Sequence, residues 1–342
     1  MTEPSKISAK GRGSRLGFLR QQGFLGAVLL VVALAAFWPS PAGEKGALGS
    51  AVPGTVAVMI LFFLQGLSLP TRELLAGVRQ GRFYSVSFFI IFVVSPLSVV
   101  VLGSFWWMLG GSSPGALFTG LIYLALLPTT VSTAVVFSGL VKREAAVPAL
   151  YLAALTNLAG VFYVPLVFLF GGFGPEQMGS GAELAGEILW QLLIPLGIGQ
   201  FLRLVFAPSS DGFKKIVRLT SHSCVLLILY LALSRSVLSG VWGELSISSW
   251  AAVLAGVFTL FAWLHLWAGI GQRWSSFRAG EKVAMWFCWP QKSAAVGVPL
   301  AAILFGESVE FGLILLPLLL YHPMQLLWGS WWVAVLSNRK EA

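Results

Sequence analysis

Apolar residues fall in ten long runs, near 24–38, 51–69, 83–109, 115–140, 145–172, 184–206, 216–238, 248–271, 282–305 and 311–336, separated by short segments that hold most of the charges. The runs do not alternate polar and apolar positions over about ten residues, so the strands of a membrane β-barrel are not predicted. Runs near 20 residues suit helices, each of which needs about that length to cross roughly 30 Å of hydrocarbon. The expected fold is therefore all-α membrane with ten transmembrane helices. The first run is short for a span, and the third is long enough to tilt or to bend at Pro96.

Composition agrees with this pattern. Of 342 residues 57% are hydrophobic and 10% charged, with mean hydropathy +0.85, against about 25% charged in soluble domains. The net charge of +9 would suit a nucleic-acid binder, but the bases are scattered over the ends of the runs instead of forming one patch, so no nucleic-acid partner is expected. Cys224 and Cys288 both lie inside apolar runs, which leaves no disulfide framework and no CxxC metal motif. The bases before Phe24 and the small-residue stretch Ala33-Leu34-Ala35 imitate a secretory signal peptide, yet the topology works better with this run kept as a span.

With the N-terminus inside, all but three of the 22 Lys and Arg fall on inside segments: Lys6 to Arg20, Arg72 to Arg82, Lys142 and Arg143, Arg203 to Arg218, Arg273 to Lys282, and Arg339 and Lys340. Lys45 and Arg235 fall outside, with Glu44, Glu176, Glu183, Glu187, Glu244, Glu307 and Glu310. This positive-inside asymmetry predicts a multi-pass protein of the cytoplasmic (plasma or inner) membrane with both termini in the cytoplasm. Arg235 reads as an anchor snorkelling to the outer interface. Lys292 is left in mid-span, where a charge costs roughly 2.5 to 3.5 kcal/mol and needs a cavity, a partner or a transport path.

Five and five spans would stand in opposite orientation, and the halves carry matching interruptions. Leu127-Pro128-Thr129-Thr130-Val131-Ser132-Thr133 breaks the fourth span and Trp289-Pro290-Gln291-Lys292-Ser293 breaks the ninth, with Glu144 and Glu307 following at similar spacing. Proline removes a backbone donor and clashes with the preceding turn, while nearby hydroxyls and amides satisfy the freed groups. Paired breaks in inverted repeats point to a transporter's midplane site. The chain thus reads as one membrane domain over 1–342: a basic cytoplasmic tail (1–23), a first five-helix repeat (24–172) and a second (184–336).

Candidate substrate or ion contacts are Lys292, Gln291 and Ser293, Thr129, Thr130, Ser132 and Thr133, then Thr156 and Asn157 of the fifth span and His322 of the tenth, with Pro128 and Pro290 as helix breakers. Asn157 either contacts the crossing or bonds a neighbouring helix, and His322 either lines a cavity or caps the kink at Pro323. Gln65 lies within a span, and His265 among Trp263 and Trp267 reads as structural. HExxH, GxSxG, a P-loop and metal-ligand spacing among the three histidines are missing, so neither an enzyme nor a metal site is expected.

Gly66-Leu67-Ser68-Leu69 with Thr71 and Leu74, Pro128 through Val136, Gln291-Lys292-Ser293 with Gly297 and Pro299, and Pro317-Leu318 through Tyr321-His322-Pro323 resemble the bile acid:sodium symporter superfamily, and most closely its SBF-like branch. The resemblance covers nearly the whole chain. It implies a panel domain of spans 1, 2, 6 and 7, a core domain of the other six with broken spans 4 and 9 crossing, and transport of a small organic anion by movement of the core. Members that use sodium coordinate it at places that here read Phe287, Ala134 and Ile91, so the resemblance implies that both sodium sites are dismantled. Gln291 and Ser293 keep their family positions, and Lys292 stands where an Asn would be.

The sequence places no Asp or Glu inside a span, and three states are open to Lys292: neutral, because burial disfavours the charged form; charged and held by hydroxyls and the carbonyl ends of half-helices; or exposed to a wet cavity awaiting an anion. The expected function is secondary active transport of an organic anion without a resident cofactor. Na+ and H+ are both open as the coupling ion, and the oligomeric state is open too. A cation/proton antiporter and a non-transporting scaffold or regulatory protein are the alternatives, and the missing carboxylate weighs against the antiporter.

Overall fold

A computed structural model describes residues 23–69, 81–108, 115–171, 181–206, 210–273 and 276–338. The basic tail, Thr71, Arg72, Leu74, Arg79, Glu176, Arg339 and Lys340 lie outside the described residues. Among the described residues the regular structure is helical, with no strand: α1 Gly23–Phe37, α2 Val52–Ser68, α3 Gly81–Phe89, α4 Ser95–Met108, α5 Gly115–Leu126, α6 Val131–Val141, α7 Ala146–Gly171, α8 Gly181–Glu187, α9 Ile194–Phe206, α10 Asp211–Leu238, α11 Ile247–Arg273, α12 Ala279–Cys288, α13 Ala294–Phe305 and α14 Phe311–Asn338.

Six helical segments are long and apolar enough to cross a membrane, or seven if the bent pair α5 and α6 makes one span. Gly23–Phe37, Val52–Ser68 and Ala294–Phe305 are apolar but shorter. By length and composition the described residues thus support a multi-pass membrane protein of six or seven spans, fewer than the ten expected. The difference lies in helices that are interrupted, such as α12 and α13, or short, such as α1 and α2.

Proline shapes several helices. α3 runs into α4 through a π-turn over Ile90–Val94, and α8 into α9 through another over Ile188–Leu193. Pro96 and Pro195 each follow directly in the first turn of the next helix, where a missing N–H is tolerated. The Phe92 carbonyl, four residues before Pro96, instead accepts the Tyr163 hydroxyl at 2.6 Å. At Pro96 the helix runs on through this widened turn as part of the continuous segment Gly81–Ser104.

Two groups of helices result. α2 packs along α9 and α10, while α5 to α7 pack with α12 to α14. The α2–α9 contact is backbone on backbone: a Cβ on Gly66 would sit 2.1 Å from the Leu196 carbonyl oxygen, and one on Gly199 2.1 Å from that of Phe63. Small residues that allow such approach are the usual means of helix association in lipid, where apolar side chains gain little by leaving the tails. Aromatic rings gather near the end of α14, with Trp286, Trp328 and Trp332 stacked, and His265 held by the Phe261 carbonyl at 2.9 Å.

Candidate functional site

The two interruptions meet. α5 ends at Leu126 and α6 starts at Val131 after a 50° bend, and α12 ends at Cys288 with α13 starting at Ala294. At the contact the Ser293 N–H donates to the Pro128 carbonyl at 2.9 Å. Each break then reaches into the other broken helix. The Thr129 hydroxyl donates to the Cys288 carbonyl at 2.6 Å, at the C-terminus of α12. Lys292 Nζ donates to the carbonyls of Ala125 (2.7 Å) and Leu127 (3.0 Å), at the C-terminus of α5. Unpaired carbonyls carry partial negative charge at such ends, so Nζ lies where a cation is favoured.

Lys292 is 0% exposed. Two donated bonds suit a neutral amine and an ammonium alike, so of the three states open to it the geometry sets aside exposure to a wet cavity. The Ala125 oxygen also accepts the Ser95 hydroxyl at 2.8 Å.

Other candidates divide into those at the contact and those beside it. Thr133 donates to Gln291 Oε1 at 2.5 Å, joining α6 to the second break. Asn157 Nδ2 donates to the Thr129 carbonyl (2.6 Å) and to Ala153 (2.5 Å), so its amide bonds the first break from α7. Ser293 caps α13 by accepting the Val296 N–H at 3.4 Å. Thr130 is the N-cap of α6 but makes no side-chain cap bond. Ser132 is exposed beyond the contact, and Thr156 bonds back to Ala153 of its own helix at 3.1 Å. His322 has its ring edge-on to Phe24 of α1 and its Nδ1 3.0 Å from Gln325 Nε2.

Sequence reasoning passed over the residues of α14 and α5 that complete the frame. Gln325 makes a two-point clamp on one peptide: its Oε1 accepts the Lys292 N–H at 2.7 Å and its Nε2 donates to the Lys292 carbonyl at 3.0 Å. Tyr321 donates a short bond to the Pro290 carbonyl and Tyr123 one to Gly297. Tyr321, His322 and Gln325 are spaced i, i+1 and i+4 along an apolar helix, so Tyr321 and Gln325 share a face. Two hydrogen-bonding side chains on one stripe of a membrane helix is the signal that could have found the clamp.

A cavity of about 330 Å³ adjoins the crossing, lined by Gln65, Ser68, Val131, Ala154, Asn157 and Leu196 among others. A second, of about 830 Å³, lies toward the other end of α2 and is lined by Thr55, Glu187, Gln191, Arg235 and Glu307 among others. Glu187 belongs to the continuous helical segment Glu183–Phe206, which corrects the expectation of spans free of carboxylates, although it borders this second cavity and not the crossing. Arg235 donates to the carbonyls of Ser50 (3.2 Å) and Gly49 (3.4 Å), an anchor for the connection between α1 and α2.

Residues 22–338 match the SBF-like CPA transporter family. The chain belongs to this family. It is similar to the Escherichia coli K12 protein named "Putative symporter YfeH", 31% identical over 307 residues and covering 88% of each chain. It is also 28% identical over 325 residues to the Danio rerio protein named "Sodium/bile acid cotransporter 7", covering 91% of this chain and 92% of that one. The resemblance drawn from the motifs thus holds at family level, and the chain is a transporter-family membrane protein and not an enzyme. Within the family frame, the positions read as lost sodium ligands are buried and apolar: Ala134 and Ile91 are 0% exposed, and Phe287 packs on Phe137 with ring centroids 5.8 Å apart.

Proposed function

We propose that this protein is a secondary transporter of an organic anion, with the crossing of the two broken helices as its substrate site and the Lys292 ammonium serving as a built-in cation there. The observation that carries the reading is the fully buried Nζ on the carbonyls of Ala125 and Leu127. An ammonium in that position supplies fixed positive charge that a sodium ion would otherwise bring. The anion is assigned to the 330 Å³ cavity, whose walls are apolar apart from Gln65, Ser68 and Asn157. That volume lies at the small end of ligand pockets, which run from about 300 to 1,000 Å³, so the substrate is a compact anion with an apolar body.

The reading includes ten spans with both termini in the cytoplasm, related halves, and alternating access. It is supported by the two cavities toward opposite ends of α2, of which one adjoins the crossing. That cavity is lined by the C-terminal end of α2, which the charge pattern assigns to the cytoplasmic side.

Uptake of a library of small organic anions into proteoliposomes tests it. Transport is expected to proceed at an unchanged rate when sodium is replaced by N-methylglucamine at fixed pH. If uptake stops without sodium, the built-in cation is the wrong account; if no anion is taken up under any gradient, the transporter reading for organic anions fails.

A further inference from the structure

The clamp on Lys292 fixes the protonation of a histidine. A backbone N–H only donates and a backbone carbonyl only accepts, so the Gln325 amide can face the Lys292 peptide in one way: Oε1 toward the N–H at 2.7 Å and Nε2 toward the carbonyl at 3.0 Å. Nε2 spends its second hydrogen on His322 Nδ1, 3.0 Å away. Nδ1 must therefore carry a lone pair, which makes His322 a neutral ring with its proton on Nε2. A doubly protonated ring would set N–H against N–H, and the contact would become repulsive.

His322 also borders a cavity of about 20 Å³ lined by Phe24, Val28, Val225, Leu229, Ala294 and others, room for about one water, whose walls are otherwise apolar. The charged or titratable neighbours are few. From α10, His222 lies tilted against Phe24 at 4.3 Å between centroids, with Arg218 one turn before it. From α14 itself comes Tyr321, committed to the Pro290 carbonyl. From the crossing comes Lys292, through Gln325. α13 offers only Ala294 and Val298. None of the described residues lining this cavity is a carboxylate, so a proton added to His322 finds no counter-ion there and has to be met by movement of Gln325.

We propose that His322 is a proton-binding site linked to the crossing: a proton taken up from water at Nδ1 displaces the Gln325 amide and releases the Lys292 peptide. The N–H and carbonyl of Lys292 then lose their partners together, and the break over 289–293 loosens next to the Ser293 to Pro128 bond that joins the two interruptions. A proton becomes a ligand of the same frame that holds the ammonium. Its use in driving transport rests on the transporter reading above, whereas the linkage between His322 and the break does not.

Peptide-resolved hydrogen exchange on the full chain in nanodiscs, without substrate, measures the linkage directly. Rates over 289–293, corrected for intrinsic chemical exchange, are expected to rise by about tenfold as the pH is lowered from about 8 to about 4, a window that extends below the range of a free imidazole, tenfold being the size of losing a hydrogen bond of this kind. In His322→Asn the side-chain oxygen accepts from Gln325 at every pH, so corrected rates should be slow and flat. His222→Asn should keep the response, which separates His322 from the other histidine near Phe24, and Gln325→Leu should exchange fast at both ends. A response retained in His322→Asn, which would assign it to Lys292 or another group, overturns the proposal, as does a flat wild-type profile. Since no substrate enters, failure here leaves the uptake result above to be judged by itself.

Discussion

Replacing Lys292 by Met is expected to reduce organic-anion uptake by about thirtyfold or more while leaving the protein folded. Thirtyfold in affinity corresponds to about 2 kcal/mol, the order of attraction between two nearby unit charges at an effective dielectric of about 20. Stability should change little because two terms oppose each other. The Leu127 carbonyl loses the ammonium that it accepts, at a cost of about 1 to 3 kcal/mol, while the Ala125 carbonyl keeps the Ser95 hydroxyl. Against this, the several kcal/mol needed to bury a charge is no longer spent. Uptake at saturating and limiting anion, with thermal unfolding of the same preparation, separates the roles. If unfolding temperature collapses and uptake merely tracks the folded fraction, Lys292 is a structural ligand for frayed backbone and not a charge for the substrate.

The second large effect concerns the α2–α9 contact. Gly66→Ala and Gly199→Ala are each expected to destabilise the protein by about 2 to 3 kcal/mol, toward the upper end of overpacking costs. The reason is the nature of the obstacle. Each added Cβ meets a main-chain oxygen at 2.1 Å, and a carbonyl inside a helix cannot rotate out of the way. The helices have to move apart. Once one alanine has separated them the other meets less resistance, so the double variant should cost less than the two singles together. A double-mutant cycle by unfolding in detergent checks this, and strict additivity would mean that the two contacts do not belong to one rigid interface.

The elements were largely legible in the sequence. Uninterrupted apolar runs predicted the positions of α7, α10, α11 and α14, because length and hydropathy are local properties. The breaks were legible too, since Pro128 and Pro290 interrupt apolar runs rich in hydroxyl and amide neighbours. Lys292 stood out because a charge in an apolar run is costly whatever surrounds it. The set of bonds was harder to read. Ser132 and Thr156 share the composition of the site without sharing its geometry, as helix phase turns Ser132 outward and gives Thr156 a partner in its own backbone. Gln325 was passed over because an amide in a membrane helix has many uses, and its partner lies 33 residues away in a segment with no regular structure.

From the sequence alone come the membrane class, the helix positions, the two interruptions and the family, each carried by patterns contiguous along the chain. Only the tertiary structure decided that Lys292 Nζ rests on the carbonyl end of α5, that Thr129 returns the contact to α12, and that Gln325 ties the Lys292 peptide to His322. These bonds join residues distant in sequence, and donors and acceptors in a membrane interior must be satisfied by whatever packing brings near them. Residue type announces that such a group needs a partner, and the fold chooses which one it receives.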